Sequence, residues 1–199
     1  VLRCALGWAC WKVYLGKPET SETQRCAMTM LGNGLSAVND HEDGLSVGET
    51  HLSMMRRLGV AEEEILTAQG NLANTYQGLG RLEQAKRMYR EVHSGYVRIY
   101  GEENRHTHLA AFNYASSLVD LQRFGEAKSL LRRMMPVAQR IFGEGNNTAL
   151  QMRLLYAQTL HADSVSTPDD LRESLNTFED VARIAQRVFG PSHPFTKIV

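Results

Sequence analysis

An all-α fold, a right-handed α-solenoid of antiparallel helix hairpins, is predicted for this 199-residue chain by three observations. A large apolar residue followed by glycine recurs at Leu15-Gly16, Leu58-Gly59, Tyr100-Gly101, Phe142-Gly143 and Phe189-Gly190, with the glycines 43, 42, 42 and 47 residues apart. The stretches NLANTY (71–76), NYASSL (113–118) and LYAQTL (155–160) recur at a spacing of 42. GRLEQAK (80–86) and QRFGEAK (122–128) also begin 42 residues apart. A period of this length marks a stacked repeat. One helical hairpin cannot bury its apolar face alone, so neighbours must cover it.

Each repeat therefore reads as helix A, a short turn, helix B, then glycine and a polar linker. The chain divides as one array: 1–16 is helix B of a preceding repeat, 17–59 is repeat 1, and 60–101 is repeat 2. Repeat 3 covers 102–143, repeat 4 covers 144–190, and 191–199 is a linker into a further repeat. A start within a repeat, without Met, and a stop before another helix A predict a fragment of a longer chain. Its ends lack polar capping helices, which terminal repeats normally need. An apolar edge on helix B of repeat 4 and self-association through uncapped ends are expected.

The opening VLRCALGWACWKVYLG reads as a helix of the fold. Arg3, Lys12, Trp8 and Trp11, with no small-residue cleavage site, argue against a secretory leader. Cys4 and Cys10 fall on its apolar face. Repeat 1 is the most degenerate; Gly32, Gly34 and Gly44 are each expected to cost about 1 kcal/mol against Ala in a helix interior. In repeat 2, EEEI (62–65) supplies an acidic first turn that complements the helix dipole. Leu72, Ala73, Tyr76 and Leu79 share one face of its helix A, and Ala85, Met88, Tyr89 and Val92 one face of its helix B.

Ala73, Ala115 and Ala157 recur where helices must approach closely. In repeat 3, HTH (106–108) is expected in a solvated linker, and Pro136 is expected to kink helix B or sit where its missing N–H is tolerated. Repeat 4 is five residues longer, and Thr167, Pro168, Asp169 and Asp170 form a good N-cap and first turn. Each repeat-closing glycine is expected in the left-handed αL conformation.

Lys+Arg and Asp+Glu both number 22, so the formal net charge is zero. Phosphate-binding surfaces show a basic excess, so neither nucleic acid nor a membrane surface is the expected partner. An RNA-reading helical repeat is disfavoured on the same ground and by the period. No apolar run is long enough to span a bilayer. The three cysteines, Cys4, Cys10 and Cys26, contain no C-x-x-C pair, which predicts a reducing, cytoplasmic setting. GNG (32–34) lacks the Lys and spacing of a phosphate loop. With no Ser/His/Asp or Cys/His set, the chain is expected to be no enzyme, with no cofactor and no metal.

Leu72-Ala73-Asn74-Thr75-Tyr76 and Ala85-Lys86-Arg87-Met88-Tyr89 resemble the L-G-x-x-Y and A-x-x-x-F positions of the tetratricopeptide repeat. The 42-residue period lengthens the helices relative to the usual 34 residues. That is similar to kinesin light chain-like repeats, as is FGPSHPFT (189–196) to their G-x-x-H-P-x-T linker. YGEENRHT and FGEGNNT are looser copies.

The resemblance implies an interaction scaffold whose A helices line a concave groove for a peptide or a partner's helix. By helical spacing the groove positions are Met30 and Asn33, then Asn71, Asn74 and Gly78. They continue as Asn113, Ser116 and Asp120, then Leu155, Gln158 and Ala162. An Asn amide both donates to and accepts from a ligand backbone; the alternative is that Asn71 and Asn113 bond neighbouring helices. The Met and Arg pairs in 54–57 and 130–136 lie late in B helices, solvated or forming a second, convex surface. The alternative function is a regulatory or sensor segment of a larger enzyme or signalling ATPase.

Overall fold

The computed structural model describes residues 22–198 together with Trp8, Ala9 and Lys12, which are helical. The rest of the expected helix over 1–16 lies outside the described residues. Those residues contain helices and no strand: α1 Glu22–Ala37, α2 His41–Leu58, α3 Glu62–Gly78, α4 Leu82–Tyr100, α5 Arg105–Asp120, α6 Phe124–Phe142, α7 Asn147–Ala162, α8 Pro168–Phe189 and α9 Pro194–Ile198. They fall into two compact units, Val1–Ile99 and Tyr100–Val199.

In the first unit α1/α2 and α3/α4 are antiparallel A/B hairpins. The expected core positions are buried: Leu72, Ala73 and Tyr76 on α3, and Ala85, Tyr89 and Val92 on α4. Leu79 and Met88 are half-buried. The glycines of repeat 1 do not break its helices. A Cβ on Gly44 would lie 3.1 Å from Ser36 Oγ, and one on Gly48 2.9 Å from Leu72 Cδ1. These glycines therefore mark places where helices touch, and their propensity cost is offset by that close approach.

The second unit holds the α5/α6 and α7/α8 hairpins and α9. One core cluster joins Ala115, Leu118, Leu131, Met134, Met152 and Tyr156; another joins Leu150, Leu154, Val181, Ala185 and Phe195. Ala115 and Ala157 are fully buried, as helix contact at those positions requires. Helix α6 continues through Pro136, which sits exposed within it. The expected solvated linker at 106–108 is a correction. Asn104 caps α5 by accepting from the His106 N–H, and Thr107 and His108 in the first turn are completely buried. The N-cap residue, read as linker, is what turns the segment into helix.

The A–B turn is one motif used three times. The N–H groups of Asp40, Arg81 and Arg123 donate to the carbonyls of Leu35, Tyr76 and Leu118. Those of Asn39, Gly80 and Gln122 donate to Ser36, Gln77 and Val119. This is the paired bonding of a Schellman turn, and its C′ residue needs positive φ. The three residues have φ of 61°, 70° and 56°. In repeat 4 the insertion replaces this turn, and Thr167 forms a full capping box with Asp170 behind Pro168.

The glycine that ends each B helix behaves less uniformly than expected. Gly59 is αL, with φ 62° and ψ 37°. Gly143 and Gly190 have φ 85° and 80° but ψ 153° and 167°. That region is essentially closed to residues with a Cβ, so glycine is required there more strictly than by an αL cap.

Candidate interaction site

Two A helices and the B helix between them form a cleft in the first unit. Its walls are α1 and α3 and its floor is α2, and it encloses about 290 Å³. Arg25, Cys26 and Thr29 line it from α1, His51 and Met55 from α2, and Glu63, Glu64, Thr67, Ala68 and Asn71 from α3. A continuation shares Thr29, His51, Ala68 and Asn71 and extends past Asn33. Two residues singled out from sequence, Asn33 and Asn71, thus meet in one cleft. Asn33 is exposed and Asn71 half-buried, and neither side chain hydrogen-bonds to a described residue.

His51 is 5% exposed, and its Nε2 is buried without a hydrogen-bond partner. Burial, and secondarily the charge of Arg25, hold its pKa below the usual 6.5, so the ring is neutral near pH 7. The Arg25 guanidinium lies 3.6 Å from the Glu64 carboxylate. Sequence reasoning passed over His51 because it looked for the site only on A helices. Yet His51 stands three residues after Gly48 and four before Met55, a polar residue on an otherwise apolar stripe.

The other expected positions have diverse surroundings. Asn74 is exposed, but its Oδ1 accepts from the hydroxyl of buried Tyr89, which also lies 2.9 Å from Gln77 Oε1. Gly78 lies against His41, and an added Cβ would collide with the imidazole ring. Met30 is an exposed apolar side chain. In the second unit Asn113 and Ser116 on α5 are half-buried, and the Asn113 side chain hydrogen-bonds to no described residue. Asp120 at the end of α5 is exposed and already engaged. On α7 Gln158 and Ala162 are exposed, whereas Leu155 is buried in the core beside Tyr156. Leu155 therefore packs inward and is removed from the groove set.

The B-helix arginines are partly committed within the molecule. Arg132 Nε donates to Tyr156 Oη at 2.9 Å, its guanidinium sits 5.7 Å over that ring, and Nη2 bonds Glu173 at 3.1 Å. Burial and the Glu173 carboxylate push the Tyr156 phenol up to about 12. Lys128 pairs with Asp170 alongside. Arg133 lies 3.7 Å from Glu102, and Arg140 pairs with Glu103. Among the described residues no group of three His, Cys, Asp or Glu could hold a metal ion. No helix among the described residues is long and apolar enough to cross a membrane.

The sequence profile of the tetratricopeptide repeat matches residues 65–106 and 169–195. Among solved structures, a Podosopora anserina protein described as a kinesin light chain with nearly identical TPR-like repeats superposes with a TM-score of 0.75. The identity is 14%, over 92% of this chain and 86% of that one. A point variant of the same protein gives 0.77 at 14% identity, over 92% and 85%. BtubC (BKLC) from P. vanneervenii gives 0.74 at 15% identity, over 94% and 72%. No curated protein sequence matches the chain significantly. Those two segments, 65–106 and 169–195, are similar to tetratricopeptide repeats. The chain's fold is the all-α fold of the kinesin light chain-like repeat structures. Repeats of this type are generally protein–protein interaction scaffolds, typically without catalysis.

Proposed function

We propose that the chain binds an extended peptide segment, or a helix, of a partner protein along its A-helix faces and does no chemistry on it. Asn71 and Asn113 carry this reading. They occupy equivalent positions 42 residues apart, both are half-buried, and neither side-chain amide has a partner among the described residues. A half-buried amide that solvent still reaches can exchange its water for a ligand's backbone, since it offers both a donor and an acceptor. Asn33, Ser116 and Gln158 extend the set as accessible polar groups. Asn74 and Asp120 contribute less, because each is already engaged. The repeat division at 17–59, 60–101, 102–143 and 144–190 is supported by the turn at Asn39, Gly80 and Gln122. A cytoplasmic setting fits a sequence whose three cysteines contain no C-x-x-C pair.

The test is a peptide-display selection against the 199-residue chain beside the Asn71→Ala, Asn113→Ala double variant. A motif enriched by the parent and lost in the variant supports the reading. Equal enrichment by both places the binding surface elsewhere.

A further inference from the structure

Resting on that reading, we propose that the cleft between α1 and α3 takes a lysine or arginine side chain of the bound segment. Among the described residues, three carboxylates, Glu22, Glu63 and Glu64, line it against one guanidinium, Arg25. Arg25 faces Glu64, and the Glu22 and Glu63 carboxylates have no cationic partner among the described residues. The first-turn position of Glu63 and Glu64 on α3 explains why carboxylates are tolerated there. It does not explain the second feature: a 95% buried imidazole on the floor whose Nε2 has no partner. A buried polar atom with nothing to bond is costly, and in native structures such an atom is met by a water, an ion or a ligand group.

The cleft's chemistry is graded in the way a long cationic side chain requires. Met55 and Ala68 offer apolar contact for a methylene stem, the rim offers carboxylates for the charged head, and Asn71 lies alongside for the peptide backbone. His51 is neutral, and in the tautomer with its proton on Nδ1 the partnerless Nε2 accepts an N–H. An acidic side chain would meet like charge at the rim, and the guanidinium of Arg25 is already engaged by Glu64. At about 290 Å³ the cleft is also at the lower limit of the ~300–1,000 Å³ of small-molecule pockets, which suits one side chain better than a cofactor.

The test uses the whole 199-residue chain and fluorescein-labelled peptides taken from the display selection, measured by anisotropy. Selected peptides are expected to carry Lys or Arg at one fixed position, and replacing it with Met weakens binding about tenfold. The Glu63→Gln, Glu64→Gln double variant, altered only at exposed side chains, weakens the basic peptide about fivefold while changing the Met peptide less than about twofold. His51→Leu produces the same selective loss, with circular dichroism and melting as folding controls. Peptides that lose affinity with Asn71→Ala but show no basic position and no coupling to Glu63 and Glu64 would overturn this proposal and leave the groove reading standing. Peptides indifferent to both Asn71 and the glutamates, or no enrichment at all, would overturn both.

Discussion

Ser36 Oγ on α1 and Thr75 Oγ1 on α3 lie 3.0 Å apart and share a hydrogen bond across 39 residues of sequence. The bond ties helix A of one repeat to helix A of the next, at the end of the cleft that also holds Asn33 and Asn71. Thr75 is 4% exposed, and its hydroxyl also lies 3.4 Å from the Asn71 carbonyl oxygen. Thr75→Val keeps the shape but leaves Ser36 unpartnered, so it should destabilise the chain by about 1 kcal/mol. The change is measured by urea denaturation; an unaltered midpoint would mean that the A-to-A bond contributes nothing.

Gly95 is buried in α4 where it meets α3. A Cβ there would lie 2.6 Å from Leu66 Cδ2 and 3.2 Å from its Cγ. Ala is the better helix former by about 1 kcal/mol. Because Leu66 is itself buried, the overpacking penalty of about 1–3 kcal/mol should exceed that gain. Gly95→Ala is therefore expected to lower the melting temperature, and a rise would show that Leu66 can move aside.

Gln122 occupies the C′ position of its turn with φ 56°, where the equivalent residue in repeat 2 is Gly80. A side chain at positive φ costs about 1–2 kcal/mol. Part of that is offset by the larger entropy that Gly loses on folding, so Gln122→Gly should stabilise by about 0.5–1 kcal/mol. Gly80→Ala should destabilise by a similar amount. Equal stabilities for Gln122 and Gly at this turn would contradict the conformational argument.

The hairpin pattern was legible because apolar periodicity and terminal glycines repeat in sequence. The fourth A–B turn was legible because Thr167, Pro168 and Asp170 carry its capping chemistry themselves. What stayed hidden depends on contacts between segments far apart. Gly44 looks like a weak point until Ser36 is seen against it. Thr107 and His108 look like linker until the Asn104 cap starts α5 before them. The candidate cleft was half legible: helical spacing pointed to Asn33 and Asn71, which both line it. That spacing missed the floor residue His51, and it counted Leu155, which faces the core.

Burial holds His51 and His108 below their usual pKa of 6.5, so both are neutral when folded. The unfolded chain takes up protons first as the pH falls. The stability these residues support is thus complete above about pH 6.5 and is lost progressively below it. Urea midpoints should fall from pH 7.5 to 5.5, and His108→Leu should flatten that slope. A further loss is expected between about pH 4 and 2, where Asp170 gives up its bonds to Lys128 and Thr167; its pKa is lowered to about 2. A midpoint constant from pH 7.5 to 5.5 would contradict the buried, neutral imidazoles.

The most direct test of the binding role is the affinity of a display-selected peptide for the parent and for Asn71→Ala, Asn113→Ala, measured by titration calorimetry at one salt concentration. Loss of the two amide contacts, each worth about 0.5–1.5 kcal/mol, predicts a complex weaker by about fivefold to 150-fold, with unchanged folding. Equal affinities for parent and variant would contradict a peptide-reading role for the A-helix faces.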